Sequence, residues 1–174
     1  MKLLIATQNS GKRLEIRALL ADIPDLQLLI PSEIGLHLDV PEDGDTYREN
    51  AAAKAKAFAS CSGLLSLADD SGLEVEALQG QPGIHSARFS PHPGATDADR
   101  RALLLQKLTA HPRPWLARFR CVVALAHPNG QIAFAEGVCP GEIIPQERGQ
   151  NGFGYDPIFL LAEAGRTMAE LLLS

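Results

Sequence analysis

The sequence predicts an α/β fold with a mixed sheet, and three observations carry that prediction. Apolar runs short enough for strands alternate with helix-forming segments along the chain. Two of those runs flank Pro128-Asn129-Gly130, a strong hairpin turn. Hydrophobic content is 45% over 174 residues, which is ordinary for a globular chain and enough for a sizeable core in one domain.

The elements follow in order. Leu3 to Ala6 reads as a buried strand, and Arg13 to Ala21 as a helix with Leu14, Ala18 and Ala21 on one face. Leu26 to Ile30 is a second strand, ended by Pro31, and an acidic loop runs to Asp45. Thr46 and Glu49 form a capping box for an alanine-rich helix from Tyr47 to about Ser60. Leu64 to Ala68 is a third strand. Asp69-Asp70-Ser71-Gly72 is then expected as a tight turn into a short strand, Leu73 to Ala77. Glycines and prolines punctuate residues 80 to 94. Asp97 to Leu108 is a third helix with Leu104, Leu105 and Leu108 inward, and Pro112 and Pro114 mark the connection after it. Phe119 to Ala126 and Gln131 to Val138 make the hairpin, and Ile158 to Leu161 is a core strand.

Composition excludes several classes. A net charge of −5 argues against a nucleic-acid backbone as partner, which needs a basic face. It does not argue against a nucleotide, because a few lysines and a metal reverse the field locally. Cys61, Cys121 and Cys139 are odd in number and widely spaced, so they form no zinc pattern. They read as buried free thiols in a reducing, cytoplasmic setting. No signal peptide opens the chain and no apolar run approaches membrane-spanning length, so no membrane partner is expected.

Three stretches carry chemistry. In the first, Thr7, Gln8, Asn9, Ser10, Gly11 and Lys12 join a strand to a helix, where free N–H groups and the helix dipole favour an anion. It is not a Walker loop: Ala6 stands where the first glycine belongs and Arg13 where the magnesium-binding hydroxyl belongs. In the second, Asp69 and Asp70 end a buried strand. A carboxylate there suits magnesium, which shares oxygen ligands with substrate phosphates, and only one of two adjacent residues is expected to face a site. Glu42 and Asp43 offer a second ligand, and of Lys54 and Lys56 at most one reaches a site. In the third, GQNGFGYDP, Phe153 and Tyr155 offer stacking faces, Gly152 and Gly154 let the backbone approach a flat ligand, and Asp156 offers an acceptor to base N–H groups. Each stretch also has a purely structural reading: a solvated lysine, an aspartate-capped turn, packed aromatics.

Taken together, TQNSGK, EDGDTYRENAAAKA, LADDSGLEVEAL, QPGIHSARF and GFGYDPIF resemble the inosine triphosphatase family, in order and over nearly the whole chain. These are pyrophosphatases of non-standard purine nucleoside triphosphates. The resemblance implies one domain over residues 1–174, a mixed central sheet flanked by helices, two lobes with an active-site cleft between them, and a homodimer. It implies Mg²⁺-dependent hydrolysis of dITP, ITP or XTP to the monophosphate and pyrophosphate. By matching motifs, Thr7 to Lys12 cradle the triphosphate, and its negative charge in an acidic protein calls for Lys54 beside Lys12. Glu42 and Asp70 hold the metal, and Asp70 is the catalytic base. Ser71 touches substrate, and Phe153, Gly154, Tyr155 and Asp156 hold the base. Family members usually continue into a lysine and a Ser-His-Arg triplet. This chain stops at MAELLLS, so its C-terminal end is read as truncated, and His37, His85, His92, His111 and His127 are read as structural or exposed. Two alternatives stand beside this: a catalytically impaired nucleotide-binding protein, and a pyrophosphatase for other modified nucleotides.

Overall fold

The computed structural model describes residues 1–171. The end of the expected domain, including Ser174, lies outside them. Among the described residues, seven strands form one mixed sheet in the order β2-β1-β3-β4-β5-β6-β7. They are β1 (Lys2–Ile5), β2 (Gln27–Leu29), β3 (Leu65–Val75), β4 (Trp115–Ala126), β5 (Ile132–Ile143), β6 (Phe159–Leu161) and β7 (Arg166–Thr167). The helices are α1 (Ser10–Leu19), α2 (Tyr47–Ser62) and α3 (Asp97–Leu108). β1 pairs in parallel with β2 and β3, whereas β6 pairs antiparallel with β5 and β7. The α/β class and mixed sheet are therefore as expected.

The chain divides into two compact units, one of residues 1–70 and 121–137, the other of 71–120 and from Val138 onward. In the first, the buried apolar side chains are Leu3, Leu4 and Ile5 of β1, Ala6 after it, Tyr47, Ala51, Ala55, Phe58 and Ala59 of α2, and residues of β3 and β4. Burying a side chain the size of Leu4 or Phe58 stabilises by roughly 1.5–3 kcal/mol. The alanine run in α2 thus serves as a packing face as well as a helix former. In the second unit, Leu73 and Val75 of β3 pack with Leu104 and Leu108 of α3, Trp115, Ile143, Ile158 and Phe159.

α2 begins at the expected capping box: Thr46 Oγ1 accepts from Glu49 N at 3.1 Å, and Glu49 Oε2 accepts from Thr46 N at 3.1 Å. It ends at Gly63, whose φ of +67° is the left-handed cap that stops the helix. α3 has its expected bounds, with Leu104 and Leu108 buried and Leu105 half-buried.

Three expectations need correction. The Asp69–Gly72 segment is not a turn, because β3 runs unbroken from Leu65 to Val75. β3 lies between β1 and β4 in the sheet, so neighbouring strands take the backbone groups that a turn would pair locally. α1 starts at Ser10 rather than Arg13, because Asn9 caps it with Oδ1 accepting from Lys12 N at 3.1 Å. Its expected inner face is outward: Leu14, Ala18 and Ala21 are exposed, and Lys12 and Ile16, one turn apart, are half-buried. Finally, Cys61 is exposed and Cys121 and Cys139 are only half-buried, although all three are free as expected. Among the described residues no helix is long and apolar enough to cross a membrane.

Candidate active site

In the first unit the phosphate-loop segment is built by local hydrogen bonds. Thr7 is buried, and its Oγ1 accepts from Asn9 N at 3.2 Å; Gln8 Nε2 donates to Leu38 O at 3.3 Å. Ser10, Gly11 and Lys12 form the first turn of α1, where backbone N–H groups are left for an incoming anion. A cavity of about 430 Å³ is lined by Thr7, Gln8, Arg13, His37, Asp39 and Phe58 among others, so it opens beside the first two loop residues.

The extended backbone of β3 sends its two aspartates to different partners, as alternation requires. Asp69 Oδ2 pairs with Lys12 Nζ at 2.7 Å, and its side chain is only 7% exposed. Asp70 Oδ2 accepts from Asn50 Nδ2 at 2.9 Å, and the Asn50 carbonyl in turn accepts from Gly44 N at 2.9 Å. Asn50 thereby ties the catalytic candidate to the acidic loop. Lys54, one turn after Asn50 on α2, is buried and ion-paired with Glu42, whereas Lys56 is exposed. The two lysines thus face different directions, and Lys54 is the one turned toward the acidic loop. Ser71 follows in β3 and is half-buried.

Charge is balanced closely here. Burial pushes the Asp70 carboxyl above the usual carboxylate range, against the Asn50 hydrogen bond and the Lys54 ammonium. Burial alone would lower Lys12, but Asp69 outweighs it and holds the ammonium above its ordinary value. Cys121 is half-buried near Asp69, and burial, with the Asp69 charge, pushes its thiol up to about 11, which disfavours the thiolate.

In the second unit the GFGYDP segment is folded on itself. Asp156 Oδ2 accepts from Phe153 N at 2.8 Å. Gly152 has φ +73°, and a Cβ there would run into that same Asp156 oxygen, so only glycine fits. Tyr155 is 4% exposed and its hydroxyl donates to Ser86 O at 2.9 Å. A ring in that position packs in the core, whereas Phe153 is half-buried.

The model of the Ham1 family matches residues 3–174. This chain belongs to the Ham1 family. A protein of Desulforamulus reducens named dITP/XTP pyrophosphatase is 48% identical over 172 residues, covering 98% of this chain and 85% of that one. One of Geobacter sulfurreducens with the same name is 45% identical, covering 99% and 86%. Among solved structures, a HAM1 protein from Coxiella burnetii superposes with a TM-score of 0.87 at 40% identity, over 99% of this chain and 87% of that one. A nucleoside-triphosphatase / dITP/XTP pyrophosphatase from Mycobacterium abscessus gives 0.79 at 40% identity, over 98% and 89%. The family resemblance drawn from the motifs is therefore correct.

The donor set of this Ham1 chain fits a hard divalent cation. Glu42, Asp69 and Asp70 offer only oxygens, and Asp69 Oδ1 is buried without a hydrogen-bond partner. No group of three or more His, Cys, Asp or Glu residues poised to hold a metal occurs among the described residues. Magnesium takes one or two carboxylates and completes its shell with water and substrate phosphate. His37, His85, His92 and His127 are exposed and His111 half-buried.

Sequence reasoning missed Asn50. Its signal is the one amide in an alanine-rich helix, at a position buried on the same face as Lys54.

Asp156 yields a prediction. Burial pushes its carboxyl up to about 6. Its contribution to stability is full below the ordinary carboxylate range and is lost as pH rises through about 6. Asp156→Asn is therefore expected to raise the melting temperature at pH 8 by several degrees, on the order of 2 kcal/mol, and to leave it unchanged at pH 4. Calorimetric melts at both pH values check this; equal shifts would refute it.

Proposed function

We propose that this chain hydrolyses non-standard purine nucleoside triphosphates, dITP, ITP or XTP, to the monophosphate and pyrophosphate, with Mg²⁺. Its place in the Ham1 family makes it a hydrolase acting on acid anhydrides, and relatives named dITP/XTP pyrophosphatase support the substrate class. The observation that carries the chemistry is a buried Asp70 held by Asn50, in the same unit as the Lys12–Asp69 and Lys54–Glu42 pairs.

In this reading the two lysines are charged and already positioned, and each is paired with a carboxylate before substrate arrives. A triphosphate takes over Lys12, Lys54 and the N–H groups at Ser10 and Gly11. That frees Glu42 and Asp69 from their lysine partners. Glu42 and Asp70 would hold magnesium, which when bound acidifies water and offsets charge on the leaving pyrophosphate. Asp70 takes the proton from the attacking water, whose oxygen bonds to the α-phosphorus as the bond to the bridging oxygen breaks. Its burial-raised basicity suits that task, and Asn50 fixes the direction of its free oxygen. Phe153 stacks on the base, while Gly154 and Asp156 shape the segment around it. Tyr155 supports the segment from the core, and Ser71 contacts substrate.

The same reading gives a cytoplasmic homodimer that removes deaminated purines from the nucleotide pool. Its test is a pyrophosphate-release screen over ITP, XTP, dITP and the four standard triphosphates, with and without magnesium. Release confined to the three non-standard purines and abolished by chelation is the expected result. Binding without release would leave a nucleotide-binding protein, and release from pyrimidines alone would overturn the base assignment.

A further inference from the structure

We infer that Asp97 and Arg101 of α3 are positioning residues for the base-binding segment, gripping both polar groups of Gly154 and so fixing the stacking face of Phe153. The inference rests on the reading of Phe153 as the residue that stacks on the base.

Gly154 N–H donates to Asp97 Oδ2 at 2.8 Å, and Gly154 O accepts from Arg101 Nη1 at 2.8 Å. The same guanidinium is anchored from behind: Nε donates to Glu147 Oε1 at 2.8 Å and Nη2 to Glu147 Oε2 at 3.0 Å. This is the two-pronged carboxylate contact for which arginine is suited and lysine is not. The Arg101 side chain is 12% exposed, so the pair is largely shielded from water. Asp97 and Arg101 are four residues apart and share a face of α3, and the other Asp97 oxygen is held by Arg100. Burial alone would raise the Asp97 carboxyl, but the hydrogen bonds from Arg100 and Gly154 outweigh it and keep it ionised.

The arrangement exceeds what packing requires. α3 already meets its core through Leu104 and Leu108. Its first two turns instead commit two opposite charges to the backbone of one glycine. That glycine has φ +58°, and Gly152 on the other side of Phe153 has φ +73°. A phenylalanine between two glycines in the left-handed region has the most freedom to wander when unbound. With the grip in place the ring is held before the ligand arrives, and less binding energy goes into ordering it. The grip should therefore act on base-bearing ligands and spare ligands that lack a base.

The test uses the full chain with Arg101→Gln, Asp97→Ala and Asp97→Asn. Steady-state ITP hydrolysis is read with magnesium, and calorimetric titrations are run with IMP and with inorganic triphosphate, which has no base. Arg101→Gln and Asp97→Ala are expected to raise the KM for ITP and weaken IMP about tenfold, with kcat and inorganic triphosphate within about twofold. Asp97→Asn keeps an oxygen that accepts from Gly154 N–H, and is expected to restore the KM. Equal weakening of IMP and inorganic triphosphate, or unchanged IMP affinity in both loss variants, would overturn the inference. Should Arg101→Gln fail to fold, Glu147→Gln, which loosens the guanidinium but spares its contact with Gly154, is expected to shift KM in the same direction by less. An unmodified chain that bound IMP but released no pyrophosphate would sink the proposed hydrolysis, while the titrations would still decide the grip.

Discussion

Asp70→Asn is expected to lower kcat for ITP by about 10²–10⁴-fold with magnesium saturating, the range typical of removing a general base. The asparagine has nearly the same shape, and its side-chain oxygen still accepts from Asn50 Nδ2, so the fold is expected to survive. Stability should be equal or higher near neutral pH. The wild-type carboxyl is raised by burial, so its charged form is the costly one, and its contribution to stability is lost as pH rises through that raised value. A less active but no less stable variant separates chemistry from folding. Single-turnover rates and calorimetric melts on the same preparation check both halves. Undiminished turnover would remove Asp70 from the mechanism.

How legible all this was in the sequence depended on whether the deciding force was local. The capping box of α2 was legible because Thr46 with Glu49 settles a helix start within four residues, and α2 begins where that pattern says. α3 was legible from its leucine spacing. The Asp69–Gly72 segment was not. Asp, Ser and Gly prefer turns in isolation, but here β3 lies between two sheet neighbours and the ladder prevails over local preference. The inner face of α1 was misread for a related reason: apolar periodicity assumes an apolar partner, whereas α1 turns Lys12 inward to a buried carboxylate. Tyr155 looked like a stacking face because the sequence shows a ring but not the Ser86 carbonyl that takes its hydroxyl. The charged partners of Gly154 were invisible, since Asp97 and Arg101 lie more than fifty residues away in the chain.

The second large effect is at the other β3 aspartate, where stability and function are coupled and can be separated by a double substitution. Lys12→Met leaves Asp69 buried with neither oxygen paired, since Oδ1 already has no partner and Oδ2 loses its ammonium. Stranding a buried charge in this way is expected to cost about 3 kcal/mol, and to lower the melting temperature by several degrees. Adding Asp69→Asn removes the stranded charge, so the double variant is expected to regain most of that loss. Activity should not follow. Both Lys12→Met and the double variant lack the ammonium proposed to meet the triphosphate, so their KM for ITP is expected to rise by roughly 10²-fold, a loss comparable to one charge-assisted contact. Asp69→Asn alone keeps Lys12 and the Asp70 carboxylate, and is expected to retain far more turnover than Asp70→Asn. A double variant that recovered activity together with stability would show that Lys12 serves the fold and not the phosphate. One that recovered neither would show that Lys12 and Asp69 do not act as a pair.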